Sequence, residues 1–150
     1  MVRKDLVQRK ISLIQDDLAR LADFARFSFD EIAGDSVKQA AVERMLERVI
    51  SRAIDINEHL ISALAGKETS PPKDYRETFL RLADTRVYPK KFAEDIAKSV
   101  GVRNILVHEY DKIDEKKVYE SIKDCLTDYA KYVDYVLEFL RKTEAPKERI

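Results

Sequence analysis

At 150 residues the chain is the size of one domain able to bury roughly 68–70% of its unfolded surface, and its 28 Lys and Arg balance 28 Asp and Glu, which argues against a broad basic footprint for nucleic acid. Cys125 is the only cysteine, so an internal disulfide is excluded and a reducing, cytoplasmic setting is expected. Two histidines with no His-x-x-x-His or Cys-x-x-Cys pair, three scattered glycines, and no stretch near the ~20 apolar residues of a membrane span argue against a metal centre, a phosphate-cradling loop and a membrane partner; no cofactor is expected.

Taken in chain order, the apolar spacing is helical throughout. Val7, Ile11, Ile14, Leu18, Leu21 and Ala25 step by threes and fours, predicting a helix over about 4–28 with Lys10, Asp16, Asp17, Arg20 and Asp23 on its polar face. Asp30 to Ser36, with Gly34, reads as a connection. The longest helix is predicted over about 36–65: Val42, Leu46, Val49, Ala53, Ile56, Leu60 and Ala63 form one stripe, and Ile50, Ile54, Ile61 and Leu64 a second, so it packs on two sides. Gly66 is the expected stop, and Lys67 to Lys73, with Pro71-Pro72, the expected loop. A short helix follows over about 74–85 with Phe79, Leu82 and Ala83 facing in. Pro89 suits the first turn of a fourth helix running through Phe92, Ile96 and Val100 to about Val107. Asp114 reads as the N-cap of the last helix, marked by Val118, Ile122, Cys125, Tyr129, Val133, Val136 and Leu140. The expectation is an all-α, up-and-down bundle of four to five helices, with residues 1–142 one domain and 143–150 a frayed tail.

Between Ser99 and Asp114 the periodicity stops being routine. The stripe Phe92, Ile96, Ser99 continues onto Arg103, Leu106 and Tyr110, and a guanidinium on a core-facing line must be paired or line a cleft. His108 lies five residues on, about 140° round an ideal helix. The two heads converge only if the helix distorts, the arginine reaches across, or a second subunit completes the geometry. Asn104 and His108, four apart, can share a face. His59, on the polar side of the long helix, reads as a hydrogen-bonded structural residue. The tyrosines Tyr119, Tyr129, Tyr132 and Tyr135 read as core or interface, and Lys90-Lys91 and Lys116-Lys117 as solvated faces able to lend positive potential to an RNA backbone.

Arg103-Asn104-Ile105-Leu106-Val107-His108, an arginine, a polar residue, and a histidine after a gap of four, resembles the motif of the HEPN superfamily, all-α domains that include metal-independent ribonucleases. Extended to His108-Glu109-Tyr110, it resembles the Arg-x4-His-x-Tyr motif of HepT toxins. The resemblance also takes in Glu43-Arg44, Asp55-Ile56 with His59-Leu60-Ile61, Tyr75-Arg76-Glu77 with Phe79, and Val118-Tyr119. The sequence departs from it at Val102, where relatives commonly carry an aromatic.

The resemblance implies RNA as substrate and cleavage without a metal, because RNA carries its own nucleophile in the 2′-hydroxyl. His108 would move protons near neutral pH, Arg103 would stabilise the charge on the phosphorane, and Asn104 would orient the phosphate or the imidazole. It also implies a homodimer with two motifs around one cleft. Its expected partner is an MntA-type nucleotidyltransferase antitoxin that transfers AMP from ATP onto Tyr110. Two other functions fit the same residues: a non-catalytic HEPN module that binds nucleotide or scaffolds a nucleotidyltransferase, and a structural bundle with Arg103 in a buried ion pair.

Overall fold

The computed structural model describes residues 1–65 and 70–143, and of Tyr110 the backbone alone. The described residues form helices joined by short turns, without a strand. α1 (Lys4–Phe24) buries Val7, Ile11, Ile14 and Leu21 against the core, as its spacing predicts, with Leu18 half-buried beside them. Asp17 departs from expectation. It falls on the same three-and-four spacing as Ile14 and Leu21 and is wholly buried, where the sequence reading set it on the polar face.

The expected connection after α1 contains a one-turn helix, α2 (Phe29–Ala33). It is closed by a capping box in which Ser28 Oγ accepts from Glu31 N–H at 3.1 Å and Glu31 Oε1 accepts from Ser28 N–H at 2.8 Å. α3 (Ser36–Leu64) starts where Asp35 Oδ1 accepts from the Val37 and Lys38 N–H groups, and both of its apolar stripes are used, except that Leu64 at the end of the second is exposed. It is the central strut, touching α1, α2 and three later helices. His59 Nε2 accepts the Arg3 N–H at 2.9 Å, so this histidine satisfies a backbone donor at the entrance to α1. Gly66, the expected stop, lies outside the described residues.

α4 (Tyr75–Asp84) is capped by Asp74, whose Oδ1 accepts from Glu77 N–H at 2.9 Å. Its far end closes as a paired turn: Arg86 N–H reaches Ala83 O at 3.0 Å and Val87 N–H reaches Leu82 O at 2.9 Å, with Arg86 at φ 65°. The predicted fourth helix is two helices, α5 (Lys90–Ala97) and α6 (Ser99–His108), with Pro89 one place before the first. At the break Ser99 Oγ donates to Ile96 O at 2.7 Å, and the ladder tightens so that Gly101 N–H bonds Lys98 O at 3.1 Å. A hydroxyl inserted into the ladder is a recognised cause of such a bend. Since the Ser99 proton is spent on Ile96, Tyr129 Oη must donate to Ser99 Oγ, 2.7 Å away, and that bond locks the joint to the last helix.

A 3-10 turn, Tyr110–Lys112, leads to α7 (Glu115–Thr143), whose first N–H groups are taken by Asp114. Tyr129 and Tyr132 of α7 are wholly buried, whereas Tyr119 and Tyr135 are half-buried against the core. Tyr132 Oη donates to Asn57 Oδ1 at 2.6 Å, Asn57 Nδ2 to Thr78 Oγ1 at 3.1 Å, and Thr78 Oγ1 to Tyr75 O at 2.6 Å. A satisfied buried chain of this kind fixes register between elements, here tying the first turn of α4 to the bundle centre. No described helix is long and apolar enough to cross a membrane. Of the expected tail beyond residue 142, residues 144–150 lie outside the described residues.

Candidate active site on the sixth helix

α6 is apolar in composition, yet Val100 is its only buried residue. The helix is therefore anchored at its first turn and otherwise lies across the rim of the bundle. Arg103 is half-buried there, held from three directions. Its Nε donates to Ser51 Oγ on α3 at 3.2 Å, its Nη1 donates to Asn104 Oδ1 at 3.3 Å, and its Cζ lies 4.9 Å from the ring centre of Tyr75 on α4. Ser51 gives its own proton to Glu47 Oε2 at 3.2 Å, leaving a lone pair for Arg103, and Glu47 Oε1 accepts from Arg44 Nη1 at 2.6 Å. The guanidinium thus ends a relay that begins at a carboxylate, with a π-face beneath it. Among the described residues Nη2 has no protein acceptor, so one edge of the fork is left to an incoming anion.

The fold brings Asn104 to Arg103 and leaves His108 apart. His108 is exposed on the last turn of α6 and shares no hydrogen bond with Arg103 or Asn104. The break at Lys98 precedes both motif residues, so it rotates them together and leaves their offset intact. Tyr110 opens the 3-10 turn, two residues beyond His108. Ser51, Glu47 and Tyr75, which hold the arginine, were not legible as site residues, because they stand on other helices at no spacing that ties them to the motif.

A cleft of about 390 Å³ runs beside α6, bounded by Val102, Ser99, Tyr129, Cys125 and the carboxylates Asp124 and Asp128. Burial first, then Asp124 and Asp95, push the Asp128 carboxyl up from its usual range. Burial likewise pushes the Cys125 thiol far up, which makes it a poor nucleophile. Among the described residues no group of three His, Cys, Asp or Glu side chains is set to hold a metal ion.

Comparison with known proteins adds a second line of observation. The family model described as ribonuclease HepT-like matches residues 14–136. The chain is 34% identical over 137 residues to the tRNA nuclease HepT of Aphanizomenon flos-aquae, with 90% of each covered. It is 26% identical over 136 residues to the mRNA nuclease HepT of Shewanella oneidensis, covering 88% of this chain and 96% of the relative. Among solved structures it resembles cytosolic YutE from Bacillus subtilis at TM-score 0.81 and 18% identity, over 98% of this chain and 96% of that one. It also resembles the tri-AMPylated HEPN toxin of Shewanella oneidensis in complex with MNT antitoxin, at TM-score 0.77 and 24% identity, over 89% and 98%.

Proposed function

The chain belongs to the HepT-like ribonuclease family, and from that premise we propose that it is an endoribonuclease toxin which cuts RNA without a metal at a site built on Arg103 and His108. The observation that carries the reading is that the matched residues 14–136 contain the whole motif. In support, the fold steadies the motif arginine with Ser51, Asn104 and Tyr75 while leaving one edge of its fork free.

The chemistry balances with the substrate's own atoms. The 2′-hydroxyl gives up its proton and attacks the adjacent phosphorus, the P–O5′ bond breaks, and the departing 5′-oxygen takes a proton. The ends are a 2′,3′-cyclic phosphate and a 5′-hydroxyl. His108 carries protons on this path, and Arg103 stabilises the charge that builds on the non-bridging oxygens, aimed by Asn104. Because His108 does not meet Arg103 within one chain, the working site is a two-fold dimer cleft in which each copy completes the other. Control is by an MntA-type antitoxin: the Tyr110 phenol oxygen attacks the α-phosphorus of ATP and pyrophosphate leaves. The phosphodiester so formed pairs with the motif cations and excludes RNA. The protein works in the cytoplasm, with residues 1–142 as one unit.

An RNase assay in EDTA tests this. The unmodified protein should cut, and His108→Ala or Arg103→Ala should lose on the order of 10²-fold or more in rate while keeping the parent's melting temperature. Activity abolished by EDTA, or a His108→Ala variant cutting at the parent's rate, would overturn it. Mass spectrometry after incubation with the antitoxin, ATP and Mg²⁺ should map AMP to Tyr110, and Tyr110→Phe should escape.

A further inference from the structure

Arg103 is not the only guanidinium brought to α6. The residue after its stacking partner Tyr75 is Arg76, and a methyl group built on Gly101 would lie 3.2 Å from Arg76 Nη2. The Arg76 head therefore rests across the bare backbone of α6, two residues ahead of Arg103, in the room that glycine leaves. Arg103 sits over the Tyr75 ring at 4.9 Å. Two cations from different helices thus meet where α4 crosses α6, Arg103 over the exposed Tyr75 ring and Arg76 against Gly101, and the first turn of α4 is tied to the core through Thr78.

The acids at the start of α4 are committed elsewhere. Asp74 caps the helix, and Glu77 takes Arg81 through Nε at 2.9 Å and Nη2 at 2.7 Å and also accepts from Lys73 N–H. Arg76 is exposed, and among the described residues no carboxylate pairs with it. Two like charges gathered on one rim repel each other until an anion joins them. A strand whose scissile phosphate meets Arg103 offers further phosphates on either side of it.

We propose that Arg76 is a substrate-binding residue that takes a non-scissile phosphate of the RNA strand beside the one held by Arg103. The identity of the strand rests on the ribonuclease reading above; the binding itself does not require cleavage. Arg76 contributes equally before and during reaction, so its loss raises KM and leaves kcat nearly unchanged. With no carboxylate partner among the described residues, its removal leaves the fold alone.

The test is binding of a short 2′-O-methyl RNA oligonucleotide, which lacks the attacking hydroxyl, measured by fluorescence anisotropy across a salt series. Arg76→Ala should weaken binding about tenfold and flatten the salt slope by ~0.7, the increment for one phosphate contact on a single strand. Arg76→Lys should restore the slope and most of the affinity. The assignment is overturned if Arg76→Ala matches the parent in affinity and slope, or if the parent itself does not bind. Cleavage of ordinary RNA is scored separately. A parent that binds but does not cut loses the nuclease reading and keeps Arg76; a parent that cuts, with Arg76→Ala unchanged in KM, loses Arg76 and keeps the nuclease.

Discussion

Asp17 is shut off from water, and its oxygens are taken by Arg52 Nη1 at 2.8 Å, Arg48 Nε at 3.1 Å and Arg20 Nη1 at 3.3 Å. Arg48 and Arg52 stand four apart on α3, so one carboxylate rivets two turns of that helix to α1. Deleting one member of a buried ion pair usually costs 3–5 kcal/mol because a charge is stranded. Here the arginine side chains are partly exposed, Arg20 most and Arg52 least, so loss of the carboxylate lets them rehydrate in part, which lowers the cost. Asp17→Asn, which turns two amide hydrogens toward donors, should therefore destabilise the protein by about 2 kcal/mol in a urea titration. A change below about 0.5 kcal/mol would show that the cluster is surface decoration. The residue was legible in principle. Positions 14, 17 and 21 carry the same spacing as 14, 18 and 21, and Leu18 masked it by satisfying the apolar pattern one place on.

Arg86 closes α4 in the left-handed region at φ 65°, where a side chain crowds the following carbonyl and glycine does not. Arg86→Gly should stabilise the protein by about 1 kcal/mol, seen as a higher denaturant midpoint with an unchanged slope. An unchanged or lower midpoint would mean that contacts of the arginine outweigh the backbone cost. α1, α3, α4 and α7 were readable because each carries apolar period over successive turns, and Asp114 was legible as the cap of α7; the reading carried α1 four residues too far, to 28 where the helix ends at Phe24. α2 was not readable, since five residues hold too few turns for a period to show and only its capping box betrays it. The joint between α5 and α6 was hidden as well. Serine is an ordinary helix residue until a partner such as Tyr129 fixes its hydroxyl, and that partner is 30 residues away. The chemistry was readable in part. Arg103 announced itself as a cation on an apolar line, while the residues that hold it did not.

The bundle leaves α6 unfinished as a whole. Val102, Ile105 and Leu106 are half-buried, Val107 is 36% exposed, and with Val118 the first three border a shallow apolar groove of about 190 Å³. The two-fold dimer proposed above would cover this apolar face and double the motif. Light scattering at micromolar concentration should give a dimer, and Val107→Glu should shift it to monomer and abolish RNA cleavage together. A dimer that survives the charge, or a cleaving monomer, would place the interface elsewhere. The same helix has two thermodynamic halves. Its first turn is bolted to Tyr129, and Arg103 is held through α3 and α4, so exposing that part to exchange with deuterium requires opening the whole bundle. Beyond Leu106, whose side chain still packs against the core, Val107, His108 and Glu109 are exposed. That segment can open alone at a small fraction of the global free energy. On the modification of Tyr110 proposed above, the antitoxin would draw that end of the motif into its own active site while the rest of the chain stays folded, so silencing would not demand that the bundle first be taken apart.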